Sequence, residues 1–122
     1  MAWIVTDEVQ LEYKVLESAE VATKIPEFIL SAQDFVYADL DGYIDMDAVL
    51  LSIPFPKVLE QLAKFKAQEK ALIYYYQEEQ NSFDTIEKVR DQYNNLVSLI
   101  RNGQLLVGEV DSKPELGSSS FA

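Results

Sequence analysis

The stretch Phe55–Gly103, FPKVLEQLAKFKAQEKALIYYYQEEQNSFDTIEKVRDQYNNLVSLIRNG, decides the fold. Apolar residues recur at helical spacing on both sides of one polar interruption, a pattern that predicts a helical hairpin. The first helix runs from about Pro56 to Glu79 and the second from about Asp84 to Asn102, with Gln80-Asn81-Ser82 as the turn. Pro56 is the start signal, because its missing N–H would lack a partner in a first helical turn anyway. Asp84 with Glu87 three residues on makes a capping box, or Ser82 caps the helix two residues earlier. Gly103 is the stop signal, since glycine takes the left-handed conformation that closes a helix at no steric cost.

In the first hairpin helix Val58, Leu62, Phe65, Leu72, Ile73 and Tyr76 share a stripe. Glu69 falls in the middle of it. A carboxylate buried without partners is costly, so Glu69 should be hydrogen-bonded or shifted toward its neutral form. Lys66, Arg90 or a tyrosine hydroxyl are the candidate partners. A catalytic acid would need a base or nucleophile beside it, and the sequence supplies none, so Glu69 reads as a satisfied buried acid. The second hairpin helix lines one face with Ile86, Val89, Tyr93, Leu96, Val97 and Ile100. Tyr74, Tyr75 and Tyr76 stand in a row and cannot all face one side. Tyr74 and Tyr75 read as rim residues or as contacts to another subunit, where tyrosine is enriched.

Outward from the hairpin toward the N-terminus, the segment 46–55 (MDAVLLSIPF) contains Pro54 and abuts Pro56, so it reads as a buried connection or a single extended segment. Before it, Pro26 opens a helix to about Asp45. Ile29, Ala32, Val36, Leu40 and Tyr43 form its stripe, widened by Phe28, Phe35 and Ile44, and acids occupy the far side. Residues 15–24 read as a loop or half-turn. Thr6 is a cap for a short helix from Asp7 to about Tyr13 or Lys14. Trp3 is either a core plug or an anchor on a neighbouring molecule. Beyond the hairpin, Gln104–Val110 (QLLVGEV) is strand-like without a mate in this chain, and residues 111–122 are a polar, serine-rich tail with Phe121 near its end. An unpaired strand is a liability that a neighbour relieves by β-augmentation. Leu105, Leu106, Val107, Val110 and Phe121 are therefore candidate interface residues with Trp3, Tyr74 and Tyr75. The division is a helical body over 1–103 and a strand and tail over 104–122.

Composition narrows function. A chain of 122 residues suits one domain, and its 48% hydrophobic content permits a modest core. The absence of cysteine and histidine removes disulfides, thiolate chemistry and the commonest general base and metal ligands. The formal net charge of −11 disfavours binding to phosphates and suits a basic partner or simple solubility. No apolar run approaches the ~20 residues of a membrane span, and the N-terminus lacks the pattern of a signal peptide, so the expectation is a soluble protein of a reducing compartment. The acids Asp39, Asp41, Asp45 and Asp47 around Gly42 fail the calcium-loop template, which would put Tyr37 first and Ala48 twelfth. Lys57, Lys64, Lys66 and Lys70 point to different sides and make no nucleic-acid stripe. No phosphate loop and no nucleophile–base pair can be assembled; neither an enzyme nor a cofactor is expected.

Taken in order, Trp3 before Thr6-Asp7, a helix ending in Asp41-Gly42-Tyr43, the connector Ile53-Pro54-Phe55-Pro56, the element Glu69-Lys70-Ala71 followed by aromatics, Arg90-Asp91-Gln92-Tyr93, and Arg101-Asn102-Gly103 before a short apolar strand form a pattern over most of the chain. In this pattern the chain resembles the Mu-like phage and prophage head–tail connector proteins, also called adaptor or head completion proteins. It departs from the family at Asp45-Met46, where Arg-Tyr is common. The residues themselves predict a mainly α-helical bundle of three to four helices with a short C-terminal strand and extended tail, and the resemblance implies a small α-helical subunit. It implies a homo-oligomeric, dodecameric ring in the virion neck, bound to the portal protein and to a tail terminator or stopper protein, with DNA passing through without sequence-specific contacts. The alternative is a small acidic cytosolic binding module that neutralises a basic partner.

Overall fold

The computed structural model of the protein describes residues 2–9, 11, 13–76, 83–105 and 107. Among them are a 3-10 turn at Thr6–Glu8 and five helices: α1 Tyr13–Leu16, α2 Ala19–Leu40, α3 Met46–Val49, α4 Lys57–Tyr75 and α5 Phe83–Arg101. The mainly helical class expected from the sequence is the class observed. The only β contact among the described residues is an isolated bridge between Asp41 and Ile44.

The hairpin helices form close to where the spacing put them. Pro56, however, is the extended residue before α4 rather than its first helical residue. Residues 77–82, the expected end of that helix and its turn, lie outside the described residues. Gly103 closes α5 at φ +75°. The Gln104 N–H donates to the Leu99 carbonyl at 2.9 Å and the Gly103 N–H to Ile100 at 3.1 Å. This is the paired pattern of a Schellman cap, and it satisfies carbonyls that the helix itself leaves free. The Leu105 N–H also donates to Leu99, so Gln104 and Leu105 belong to the cap and not to a strand.

The N-terminal half departs more from expectation. Val5, not Thr6, precedes the first turn, which is held by a hydrogen bond from the Val5 N–H to the Glu8 carboxylate at 2.8 Å. Residues expected to be a loop belong to α1 and to the start of α2. Ser18 is extended and its hydroxyl accepts from the Val21 N–H, so α2 begins at Ala19 and carries Pro26 inside it. A proline there removes one helical hydrogen bond. Pro26 and Ala22, whose carbonyl loses that bond, are both exposed, so water can take its place. The helix stops at Leu40, five residues short of Asp45, because Gly42 turns the chain at φ +98°. The freed Leu40 carbonyl accepts from Tyr43 and Ile44, and the Tyr37 carbonyl from Asp41. Segment 46–55 is not a buried connection throughout. Asp45 caps the single turn of α3, which buries Met46 and Val49, while Leu51 and Ile53 are bare to solvent.

Two apolar clusters fill the fold. One gathers Ile4, Val9, Val15, Val21, Ile25, Ile29 and Ala32 around Ala63, Ala67, Ala71, Leu72, Tyr76 and Val89. The other gathers Val36, Leu40, Ile44, Met46 and Val49 around Leu59, Leu62, Tyr93, Val97, Ile100 and Val107. Trp3 and Phe65 touch both. The buried stripe of α4 is rotated from the expected one: alanines carry much of it, Val58 and Phe65 are half-buried, and Ile73 is 42% exposed. Phe35 and Tyr43, expected to widen the α2 stripe, are exposed as well.

Candidate functional site

Glu69 is buried among apolar neighbours, as its place on the stripe required. Two of the three expected partners reach it. The Lys66 ammonium donates to Oε1 at 2.8 Å from one turn back, and the Arg90 Nε donates to Oε2 at 2.7 Å from α5. Burial pushes the Glu69 carboxyl up, and the hydrogen bonds from Lys66 and Arg90 outweigh it, so the group lies below the ordinary 4.5. A carboxylate held charged between two cations is poor at donating a proton, and its chemistry is that of a tie between α4 and α5.

A second tie lies one end further along. Asp39, near the end of α2, accepts from the Tyr93 hydroxyl. Burial and that bond together raise the Tyr93 pKa well above its ordinary value. Arg101 donates through Nε and a terminal nitrogen to the Asp39 carbonyl at 3.0 and 2.8 Å, and its guanidinium stands 4.8 Å from the Tyr43 ring centre. A cation on a helix C-terminus is favourable in itself. Between the ties, Lys66 lies 4.3 Å from the Tyr93 ring centre, and Lys70 lies 4.3 Å from that of Phe35. These ammoniums cover the faces of aromatic rings that would otherwise meet water.

The other acids of the Asp39–Asp47 run have separate duties. Asp45 caps α3 and Asp47 accepts from the Tyr37 hydroxyl at 2.8 Å. Among the described residues no group of His, Cys, Asp or Glu could hold a metal ion, and no helix is long and apolar enough to cross a membrane.

The candidate interface residues part company. The Trp3 backbone N–H donates to the Gln33 side-chain oxygen at 2.6 Å, and the indole, 5.7 Å from the ring of Phe55, is half-buried in its own chain. Tyr74 is half-buried, with its hydroxyl on Glu20 at 3.1 Å and its ring against Phe28; Tyr75 packs edge-on to the buried Tyr76. Val107 is buried in the second cluster of its own chain, and Leu105 is half-buried against that cluster. Leu106, Val110 and Phe121 lie outside the described residues. Sequence reasoning missed Gln33, although its place between Ile29 and Val36 put it on the buried face, and it missed the Asp39–Tyr93–Arg101 tie.

Fold and ties together define a small α-helical protein whose charged residues join helices to one another. No protein-family model, curated protein or solved structure matches the chain.

Proposed function

We propose that this chain is a structural virion subunit, a head–tail connector that assembles as a dodecameric ring between portal and tail and lets DNA pass through its centre. One observation carries the reading: the separate pieces of the connector-like pattern meet in pairs. Glu69 binds Arg90 at 2.7 Å, Arg101 stacks on Tyr43 at 4.8 Å, and Trp3 packs on Phe55 at 5.7 Å. These pairs join residues far apart in sequence, which supports reading the pattern as that of one packed unit. At Asp45-Met46, where the family pattern differs, the chain has a cap and a buried side chain in place of Arg-Tyr. The net charge of −11 suits a conduit that must not grip phosphates.

The test is to mix the purified chain with the portal ring encoded in the same genome and image the product. Annular complexes with a fixed number of copies are expected. A chain that ignores the portal, and instead binds a basic protein one-to-one at low salt and releases it at high salt, would overturn the connector in favour of a neutralising module.

A further inference from the structure

We infer that the two ties are one latch on α5, coupled through Lys66, so that neutralising Glu69 loosens the helix as far as Arg101 and not only at Arg90. The latch can be followed from group to group. Arg90 on α5 donates to one oxygen of Glu69 at 2.7 Å, and Lys66 donates to the other at 2.8 Å. The same ammonium stands 4.3 Å from the Tyr93 ring centre, and the hydroxyl on that ring donates to Asp39. Arg101 bonds the Asp39 carbonyl and lies 3.9 Å from its carboxylate. Positive and negative groups alternate along the path, with the Tyr93 ring as the neutral step. Arg90 and Arg101 are about 16 Å apart along α5.

Lys66 is the joint. Its side chain is only 13% exposed, and its charge is balanced by Glu69 and by the ring faces of Tyr93 and Phe35. A buried ammonium left with ring faces alone is better placed in water. Loss of the Glu69 charge therefore releases Lys66, and that release uncovers the Tyr93 ring whose hydroxyl holds Asp39. Tyr93 registers both ends of the path. Burial and the Asp39 bond raise its pKa most, and the charge of Glu69 adds to the rise.

The groups that face the latch come from every element around it. They are Lys66 and Lys70 from α4, and Arg90, Tyr93 and Arg101 from α5. From α2 come Asp39 and the neutral ring of Phe35, and from the turn after it Tyr43. The Glu69 carboxyl lies below the ordinary 4.5, so the latch is shut above that value and opens as pH falls through the lowered one. The latch belongs to the single chain and is independent of the connector reading.

Two measurements on the full chain test it. In carbon-13 spectra followed from neutral pH into acid, the Tyr93 ring resonances should shift with the same midpoint as the Glu69 carboxyl carbon. That transition should vanish in Glu69→Gln and in Lys66→Met, which keeps the stem and removes the charge. Tyr93 resonances that stay flat while Glu69 titrates, or a transition that persists in Glu69→Gln, would overturn the coupling. Amide exchange at neutral pH is the second measurement. Glu69→Gln is expected to speed exchange several-fold over residues 93–101 as well as around Arg90. In the Lys66→Met background the same substitution should act around Arg90 alone. Acceleration confined to the Arg90 end in both backgrounds would mean two separate ties. Acceleration spread equally in both would mean a loosening that does not pass through Lys66, and either result sinks the latch.

Discussion

Where α4 faces the start of α2 it presents Ala63, Ala67 and Ala71; where it faces the end of α2 it presents Leu59 and Leu62. The same two helices are thus packed in two ways. In the alanine half the α4 surface is thin, and bulk comes from Val21, Ile25 and Ile29 of α2 and from Ile4, Val9 and Val15 before it. In the leucine half the hairpin supplies its own bulk, with Met46 and Val49 of α3 closing the end. One half is sensitive to what is added and the other to what is taken away.

The largest expected effect is in the leucine half. Leu62→Ala removes a fully buried side chain and should cost about 2–5 kcal/mol in denaturant unfolding, depending on how far the site collapses. A loss below about 1 kcal/mol would erase the contrast. In the alanine half the sensitive change is the opposite one. Ala67→Leu should destabilise by about 1–3 kcal/mol, because a filled contact has nowhere to put the new methyl groups. An unchanged melting curve would show room that the comparison denies.

Glu69 lies between Ala67 and Ala71, and its tie to Arg90 sharpens the comparison through pH. Glu69→Gln should cost about 1–2 kcal/mol at neutral pH, less than a fully buried ion pair because Arg90 is 42% exposed. The folded carboxyl lies below the ordinary 4.5, so its contribution is complete above that value and is lost as pH falls through the lowered one. Wild type and variant should therefore converge in acid. A gap that stays constant from neutral to acid pH would show that the charge is not what holds α5. The smallest effect belongs to Ser18→Ala. Its bond to Val21 is long, 3.4 Å, and its loss should cost about 0.5 kcal/mol and fray the first turn of α2, seen as faster amide exchange there.

The hairpin, the buried face of α5, the stop at Gly103 and the partners of Glu69 could all be read from spacing, because each is a local pattern or a single misfit on a regular stripe. The start of α2 could not, because proline's preference for first turns outweighed the quieter signal of Ser18. The alanine stripe escaped for a related reason: side chains that bury little area stand out little in a hydrophobic pattern, although they set how closely two helices lie. The Asp39–Tyr93–Arg101 tie joins residues 54 and 62 positions apart, a distance that no local pattern reports. The aliphatic run 46–55 reads as a buried connection or a single extended segment; only the fold shows Leu51 and Ile53 facing outward.

The chain's single tryptophan sits against both apolar clusters. Its emission therefore samples the seam and neither half alone. If the alanine and leucine halves melt as one, the indole signal and far-ultraviolet dichroism will share a midpoint. If they melt apart, the indole will change in two stages, and the protein will have reported its own division without any added label.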